Sequence, residues 1–469
     1  MTARKVVQAR GRADLLPTLV PVTELRPRDA VDDGSLRPPR LHRAWWVAAV
    51  TFAALVAASA FRSSTGVLME PIENEFGWSR ATTSAAVSVN LVVYGLTAPF
   101  AAALMERFGI RRVVTAALLC VAAGSGLTLL MTSAWQLVLL WGLVVGFGAG
   151  CLALVFGAIV ANRWFVARRG LVTGVFSAGS ATGQLIFLPA IAHLAMDSGW
   201  RAAAALTSAL AVVLAPVVFL VLRDSPADVG LFPYGAEQSP DFVPGSTPVP
   251  PPRLPGGAGA AARRAVDELL RCIRSYPFWV LMATFAVCGW STNGLIQTHF
   301  VAAAHDHGMP STTAAGLLAV VGIFDIVGTV ASGWLSDRFD PRLLLLAYYG
   351  LRGMSLLAVP VVLGPVVNLP LFFFIVFYGL DWVATVPPTV ALCREHFGIQ
   401  RSGVVFGWVF ASHMVGAGIA AQFAGVIREA TGTYTAAWFT AGGLCVLAAA
   451  AIMTIPRRPA SPAALAAFP

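Results

Sequence analysis

Four charged residues stand inside long apolar stretches of this 469-residue sequence: Arg62, Asp325, Arg352 and Asp381. If those stretches cross a bilayer, each charge costs about 2.5 to 3.5 kcal/mol near the centre, and charges so placed mark solute or proton paths or pair with one another. Arg62 lies in Ala58-Ser59-Ala60-Phe61-Arg62-Ser63-Ser64-Thr65-Gly66, where Ser59, Arg62 and Gly66 share one helical face. A guanidinium on a polar face can hold a carboxylate through two parallel hydrogen bonds. Its place in the outer third of the stretch also allows the side chain to reach the outer surface. Asp325, in Gly322-Ile323-Phe324-Asp325-Ile326-Val327-Gly328-Thr329, is mid-stretch. It can load and release a proton, or stand in a structural ion pair with Arg352. Asp381 either faces a cavity or meets a neighbouring helix.

Uncharged polar groups extend this set. Asn90 and Tyr94 are one turn apart, as are Asn293 and Gln297; Gln184 and His413 stand alone in their stretches. Each can contact a solute or bind a neighbouring helix, and His413 can also shuttle protons near neutral pH. His305-Asp306-His307 has the look of a metal clip but reads better as a solvated loop, so no metal or other cofactor is expected. The six cysteines form no C-x-x-C pair, and most sit in apolar runs as small hydrophobes. No H-E-x-x-H, G-x-S-x-G or phosphate-loop lysine motif points to an enzyme.

The elements that carry these residues follow from composition. The chain is 57% hydrophobic and 12% charged, with mean hydropathy +0.74. A soluble domain carries roughly 25% charged residues. A bilayer needs about 20 apolar residues per helix. Candidate spans fall at 44–69, 81–104, 112–132, 135–160, 170–194 and 201–222, then at 277–300, 313–335, 342–363, 367–392, 403–427 and 434–455. The sequence therefore predicts an all-α polytopic membrane protein with two six-helix halves, 44–222 and 276–455. A polar tail (1–43), a Pro-rich central loop (223–275) and a C-tail (456–469) complete the division. The tail lacks an apolar signal segment and carries acidic residues that disfavour an organellar transit peptide, so it reads as disordered. The central loop has the composition of an unfolded linker. Its end, 263–274, is either an amphipathic surface helix or a plain basic linker.

The net charge is +9, and only Lys5 among the 32 basic residues is a lysine. The arginine bias hints at a bacterial source, and nucleic acid is not implied. If the N-terminus is cytoplasmic, 27 basic residues lie on the cytoplasmic side against Arg80, Arg201 and Arg428 outside. The positive-inside rule thus puts both termini in the cytoplasm of a cell whose inner (plasma) membrane holds the protein.

The two halves repeat. Ala102-Ala103-Leu104-Met105-Glu106-Arg107-Phe108-Gly109 matches Gly333-Trp334-Leu335-Ser336-Asp337-Arg338-Phe339-Asp340, and Glu106 and Asp337 are 231 positions apart. Arg169-Gly170-x-x-x-Gly174 matches Ser402-Gly403-x-x-x-Gly407 at an offset of 233, with Gly183 against Gly416. These acid-Arg-Phe loops resemble the loop 2–3 motif of the major facilitator superfamily. Ala102 for Gly, Glu106 for Asp and Asp340 for Gly depart from it. The resemblance covers about 44–455 and implies two bundles rocking around a midplane site. It also implies a cytoplasmic gate built on Glu106, Arg107, Asp337 and Arg338.

A finer resemblance, to monocarboxylate and oxalate/formate transporters, rests on Trp164-Phe165-Val166-Ala167-Arg168-Arg169-Gly170 with Gly174, Ala178-Gly179 and Gly183. Phe76-Gly77-Trp78-Ser79-Arg80-Ala81-Thr82 is similar to the same group. Asp325 resembles that group's eighth-helix aspartate, but Thr329 stands where its arginine is usual. The fourth span carries Gly142, Gly146 and Gly150, a close-packing stripe, and lacks the arginine of many proton-coupled drug exporters. Helices 9 and 12 are peripheral in the superfamily, so Arg352 is expected to pair structurally. The resulting expectation is a monomeric carrier of a small organic anion, a mono- or dicarboxylate, working with protons or by exchange. Arg62 anchors the solute, and Asn90, Tyr94, Gln184, Asn293, Gln297 and His413 line the site. The rival readings are an exporter of amphipathic compounds and a transporter-like solute sensor.

Overall fold

The computed structural model describes residues 42–457 except 79, 240–241 and 251–255. The side chain of Arg62 and nearly all of both expected tails lie outside the described residues. The chain forms α1 (Arg43–Phe76), α2 (Arg80–Phe108), α3 (Ile110–Thr128), α4 (Ala134–Trp164), α5 (Arg169–Ser198) and α6 (Trp200–Val221). A connecting helix, Ala258–Cys272, leads to α7 (Tyr276–Asp306), α8 (Ser311–Ser336), α9 (Pro341–Val362), α10 (Leu369–Phe397), α11 (Ser402–Thr431) and α12 (Thr435–Ile452). Each of these twelve is long and apolar enough to span a bilayer and corresponds to one span expected from hydropathy.

The packing repeats with the sequence. In the first half α1 packs along α5, α2 along α4 and α3 along α6; in the second α7 packs along α11, α8 along α10 and α9 along α12. The glycine stripe of α4 lies against α2, and a methyl on Gly150 would stand 2.9 Å from the Tyr94 carbonyl oxygen. Across the halves, α5 meets α8 and α2 meets α11.

Three spans depart from regular helix. Wide i→i+5 turns run through Val138–Val145 of α4 and Trp290–Ile296 of α7. α4 is interrupted at Leu152–Ala153, and α10 at 382–385 before it restarts at Val386. The cause in α10 is chemical. Pro387 and Pro388 have no N–H to offer the carbonyls four residues earlier. Ser332 Oγ of α8 donates to the freed Ala384 oxygen at 2.5 Å, and Val386 N–H turns back to Val383 O at 2.9 Å.

The central loop corrects the expectation of an unfolded linker. Tyr234 N–H donates to Trp164 O at 2.8 Å, and Tyr234 O accepts from Val166 and Ala167 N–H at 2.8 and 3.1 Å. Its ring packs against Trp45 and Phe165 at 5.5 and 5.9 Å. The loop lacks a core of its own but borrows the apolar ends of α1 and α4. The connecting helix buries Ala261, Ala265 and Cys272 against α2 and α11 and exposes Arg263, Asp267 and Arg271.

Candidate functional site

The interruption in α10 is where three of the four membrane charges gather. Asp325 of α8 is 1% exposed. Its Oδ1 accepts from the Thr329 hydroxyl at 2.7 Å and from the Val383 backbone N–H at 3.0 Å. The residue standing in the place of the family's usual arginine is thus Asp325's own hydrogen-bond donor. Arg352 of α9 is fully buried. It donates from Nε to Asp381 Oδ2 at 2.5 Å, and from Nη2 to the carbonyls of Asp381 and Trp382 at 2.5 and 3.2 Å. Its Nη1 reaches Cys288 Sγ at 3.3 Å and Ser291 Oγ at 3.4 Å on α7. The backbone groups bared by the broken helix are therefore held by charged side chains from two neighbouring helices. That satisfies the requirement that polar backbone at membrane depth find partners in protein. Arg352 forms its ion pair with Asp381, not with Asp325.

The wide turn in α7 joins the same cluster, because Tyr378 OH donates to the Ser291 carbonyl at 2.8 Å. Cys288 Sγ also lies 3.2 Å from the Thr385 hydroxyl.

A cavity of about 90 Å³ lies between the halves, with Asp325 in its wall. Of the residues expected to line a site, Tyr94, Gln184, Asn293, Gln297 and His413 do so. His413 stacks on Phe410 with centroids 5.9 Å apart. Ser59, on the face it shares with Arg62, joins them, as do Ser177, Ser180 and Cys288, which nothing in their spacing marked out. One expectation is corrected, and the structural pairing expected of Arg352 is found. Asn90 is not a lining residue: its Nδ2 donates to Trp141 O at 2.6 Å, a carbonyl inside the wide turn of α4. Arg352 and Asp381 lie behind the lining and support it.

The residues expected to form a gate divide. Asp337 accepts from the N–H groups of Gly170 and Leu171, the first turn of α5, at 2.6 and 2.9 Å, which ties the halves together. Gly170 and Gly333 face each other so closely that a methyl on either would lie 2.4 Å from the other's carbonyl oxygen. Glu106 pairs instead with Arg264 of the connecting helix at 3.0 Å. Arg107 Nε donates to Gly256 O. Arg338 does not cross the boundary: it donates to Trp334 O at 3.1 Å and lies over the Trp334 ring at 3.9 Å, within its own half. The connecting helix is fastened to the second half as well, by Trp408 Nε1 to Ala265 O at 2.9 Å. The boundary is therefore closed at the end where α1 begins and α12 finishes.

Twelve spans in two matched halves, with a polar cavity between them, define a membrane transport protein. The sequence profile of the Major Facilitator Superfamily matches residues 51–421, and the chain belongs to that superfamily. Its curated relatives include Monocarboxylate transporter 13 of Bos taurus, 28% identical over 89% of this chain and 91% of that protein. Monocarboxylate transporter 11 of Homo sapiens is 27% identical over 92% and 87%. YcxA of Bacillus subtilis (strain 168), an uncharacterised transporter of this superfamily, is 23% identical over 83% and 90%. Among solved structures, FucP in its outward conformation aligns with a TM-score of 0.61 at 15% identity, covering 88% of this chain and 99% of that one. The proton:xylose symporter XylE aligns at 0.64 and 15% identity, covering 88% and 96%. The protein is thus a multi-pass membrane transporter with the superfamily's fold.

Proposed function

We propose that the protein is a secondary carrier that moves a small organic anion, a mono- or dicarboxylate, by proton symport or anion exchange through alternating access. We place both termini in the cytoplasm and the protein in a bacterial plasma membrane, on the distribution of its arginines. The observation that carries the reading is Asp325: a buried carboxyl in the cavity wall, held by a hydroxyl and a backbone N–H, with no ion pair among the described residues. A proton arriving there removes a buried charge and weakens the acceptor that holds the broken α10. The cavity has room for on the order of six water-sized positions, which suits a solute of a few heavy atoms better than a large amphipathic compound. Ser59, on the helical face it shares with Arg62, lines the cavity, and this supports Arg62 as the carboxylate anchor. The names of the mammalian relatives agree with a carboxylate.

The test is flux in proteoliposomes carrying an acridine pH probe, with small carboxylates added under an imposed pH gradient. Solute-dependent proton movement is expected, along with loss of anion affinity in Arg62→Gln at unchanged protein abundance. Absence of both proton movement and counterflow for every carboxylate overturns the anion reading. Unchanged uptake in Arg62→Gln overturns the anchor alone.

A further inference from the structure

A second cavity, of about 730 Å³, lies at the closed end and shares no lining residue with the first. Its size is that of pockets for small organic ligands. Its walls come from four parts of the chain: Glu106 at the end of α2, Asn162, Arg163 and Arg169 around the α4–α5 turn, Phe232 and Arg264 from the connecting segment, and Ile399 before α11.

The charges in it are unequally engaged. Its three carboxylates have partners within the protein. Glu106 pairs with Arg264 at 3.0 Å, Asp224 accepts from Arg111 N–H at 2.9 Å, and Asp228 accepts from Ser225 N–H at 3.0 Å. The guanidiniums are less occupied. Arg163 donates one bond of 3.4 Å to Asp224 O, and Arg169 one of 2.6 Å to Phe165 O. Each has five N–H donors to place, and among the described residues neither forms an ion pair. Three further buried atoms, Arg264 Nε, Asn162 Oδ1 and Glu106 Oε2, make no hydrogen bond, although Glu106 Oε2 has its ion pair with Arg264, and Asn162 is only 6% exposed. Buried polar atoms in native proteins are nearly always partnered. The unmet requirements are anionic oxygens for the arginines, a donor for Asn162 and Glu106, and an apolar body for Phe232 and Ile399.

We propose that this cavity is a second binding site, for an organic anion with an apolar body and a hydroxyl donor, and that its occupant holds the halves together at the closed end. The walls belong to both halves, so a ligand in it bridges α4 and α5 to the α10–α11 turn. The holding role rests on the transport reading; the binding site does not.

The probe is pyranine, a hydroxylated pyrene trisulfonate too bulky for the central cavity. Fluorescence anisotropy with the full chain in nanodiscs is expected to show saturable binding. The double variant Arg163→Gln/Arg169→Gln weakens it at least tenfold, the Lys/Lys variant recovers part of it, and Arg223→Gln, outside both cavities, leaves it unchanged. Unsaturable signal, or wild-type binding in a monodisperse double Gln variant, overturns the site. Pyranine that binds but leaves carboxylate flux untouched overturns the holding role. If no carboxylate is carried at all, the anisotropy result still decides the site.

Discussion

The carboxylate of Asp337 grips the first turn of α5 through the N–H groups of Gly170 and Leu171, across the boundary between the halves. A helix N-terminus offers unpaired N–H groups and a positive dipole end, so a carboxylate is stable there. Its counterpart 231 positions earlier, Glu106, has turned to a different partner, Arg264 of the connecting helix. The pseudo-symmetric contact at the start of α11 is also looser. A methyl on Gly403 would sit 3.9 Å from Ala102 Cβ, although Ile159 approaches it more closely. One contact is a direct clasp, and the other runs through a strap.

The strap makes a first prediction. Cys272, the last residue of the connecting helix, is on its buried face, and desolvation pushes its thiol up to about 12, so it reacts slowly with maleimide while the helix is seated. Glu106→Gln weakens the pair with Arg264 and should speed modification of Cys272 several-fold, read by site-resolved mass spectrometry. A rate equal to wild type would show that the ion pair does not seat the helix.

The pair of Arg352 and Asp381 makes a second. Removing one partner leaves a buried charge without its mate, at a cost of about 3 to 5 kcal/mol. Arg352→Leu and Asp381→Leu should each lower thermal stability in detergent sharply, and the double variant should recover part of the loss. Additive losses would mean that the pair is not coupled.

A third concerns the cap on α10. Asp325→Asn keeps an acceptor oxygen for Val383 N–H but cannot ionise, so exchange should survive while proton coupling is lost. Thr329→Val removes one hydrogen bond, worth about 1 kcal/mol, and should alter the pH dependence of flux while coupling persists. Proton-coupled flux in Asp325→Asn would remove it as the proton carrier.

The turn before α9 gives a prediction in pH. Arg342's hydrogen bond, its backbone N–H and the charges of Arg342 and Arg457 hold the Asp340 carboxyl below its ordinary value. Because the folded value is the depressed one, this stabilisation is present above the unfolded value of about 3.9 and fades as pH falls through the folded one. The side chain is a quarter exposed and sits near the surface, where solvent screens the pair, so the effect is small, at most about 1 kcal/mol. Asp340→Asn should flatten the acid limb of the melting-temperature profile below about pH 4; an unchanged limb assigns it to other carboxylates.

The spans, their number and the repeat were legible because hydropathy and a fixed offset do not depend on how helices pack. The partners of the charges were not. Arg352 and Asp381 are on different helices, and nothing in their spacing chooses Asp381 over Asp325. The role of Asn90 depends on a wide turn in α4 that hydropathy does not register. The break in α10 did leave a signal, Val386-Pro387-Pro388, which a reading tuned to apolar length passes over. The composition of the central loop concealed its folding, since its partners are the ends of α1 and α4 and not its own residues.

The interruptions in α4 and α10 fall at Leu152 and Trp382, 230 positions apart, close to the offset of the repeat. Both halves carry a weak point, yet it is the second that is held by Asp325 and Arg352; beside the break in α4, Gly150 packs on Tyr94 and Thr97 of α2. Bundles alike in outline are thus unlike in labour. On the proposed carrier mechanism, a proton reaching Asp325 acts on the second bundle's break, and the first is the anvil against which that bundle moves.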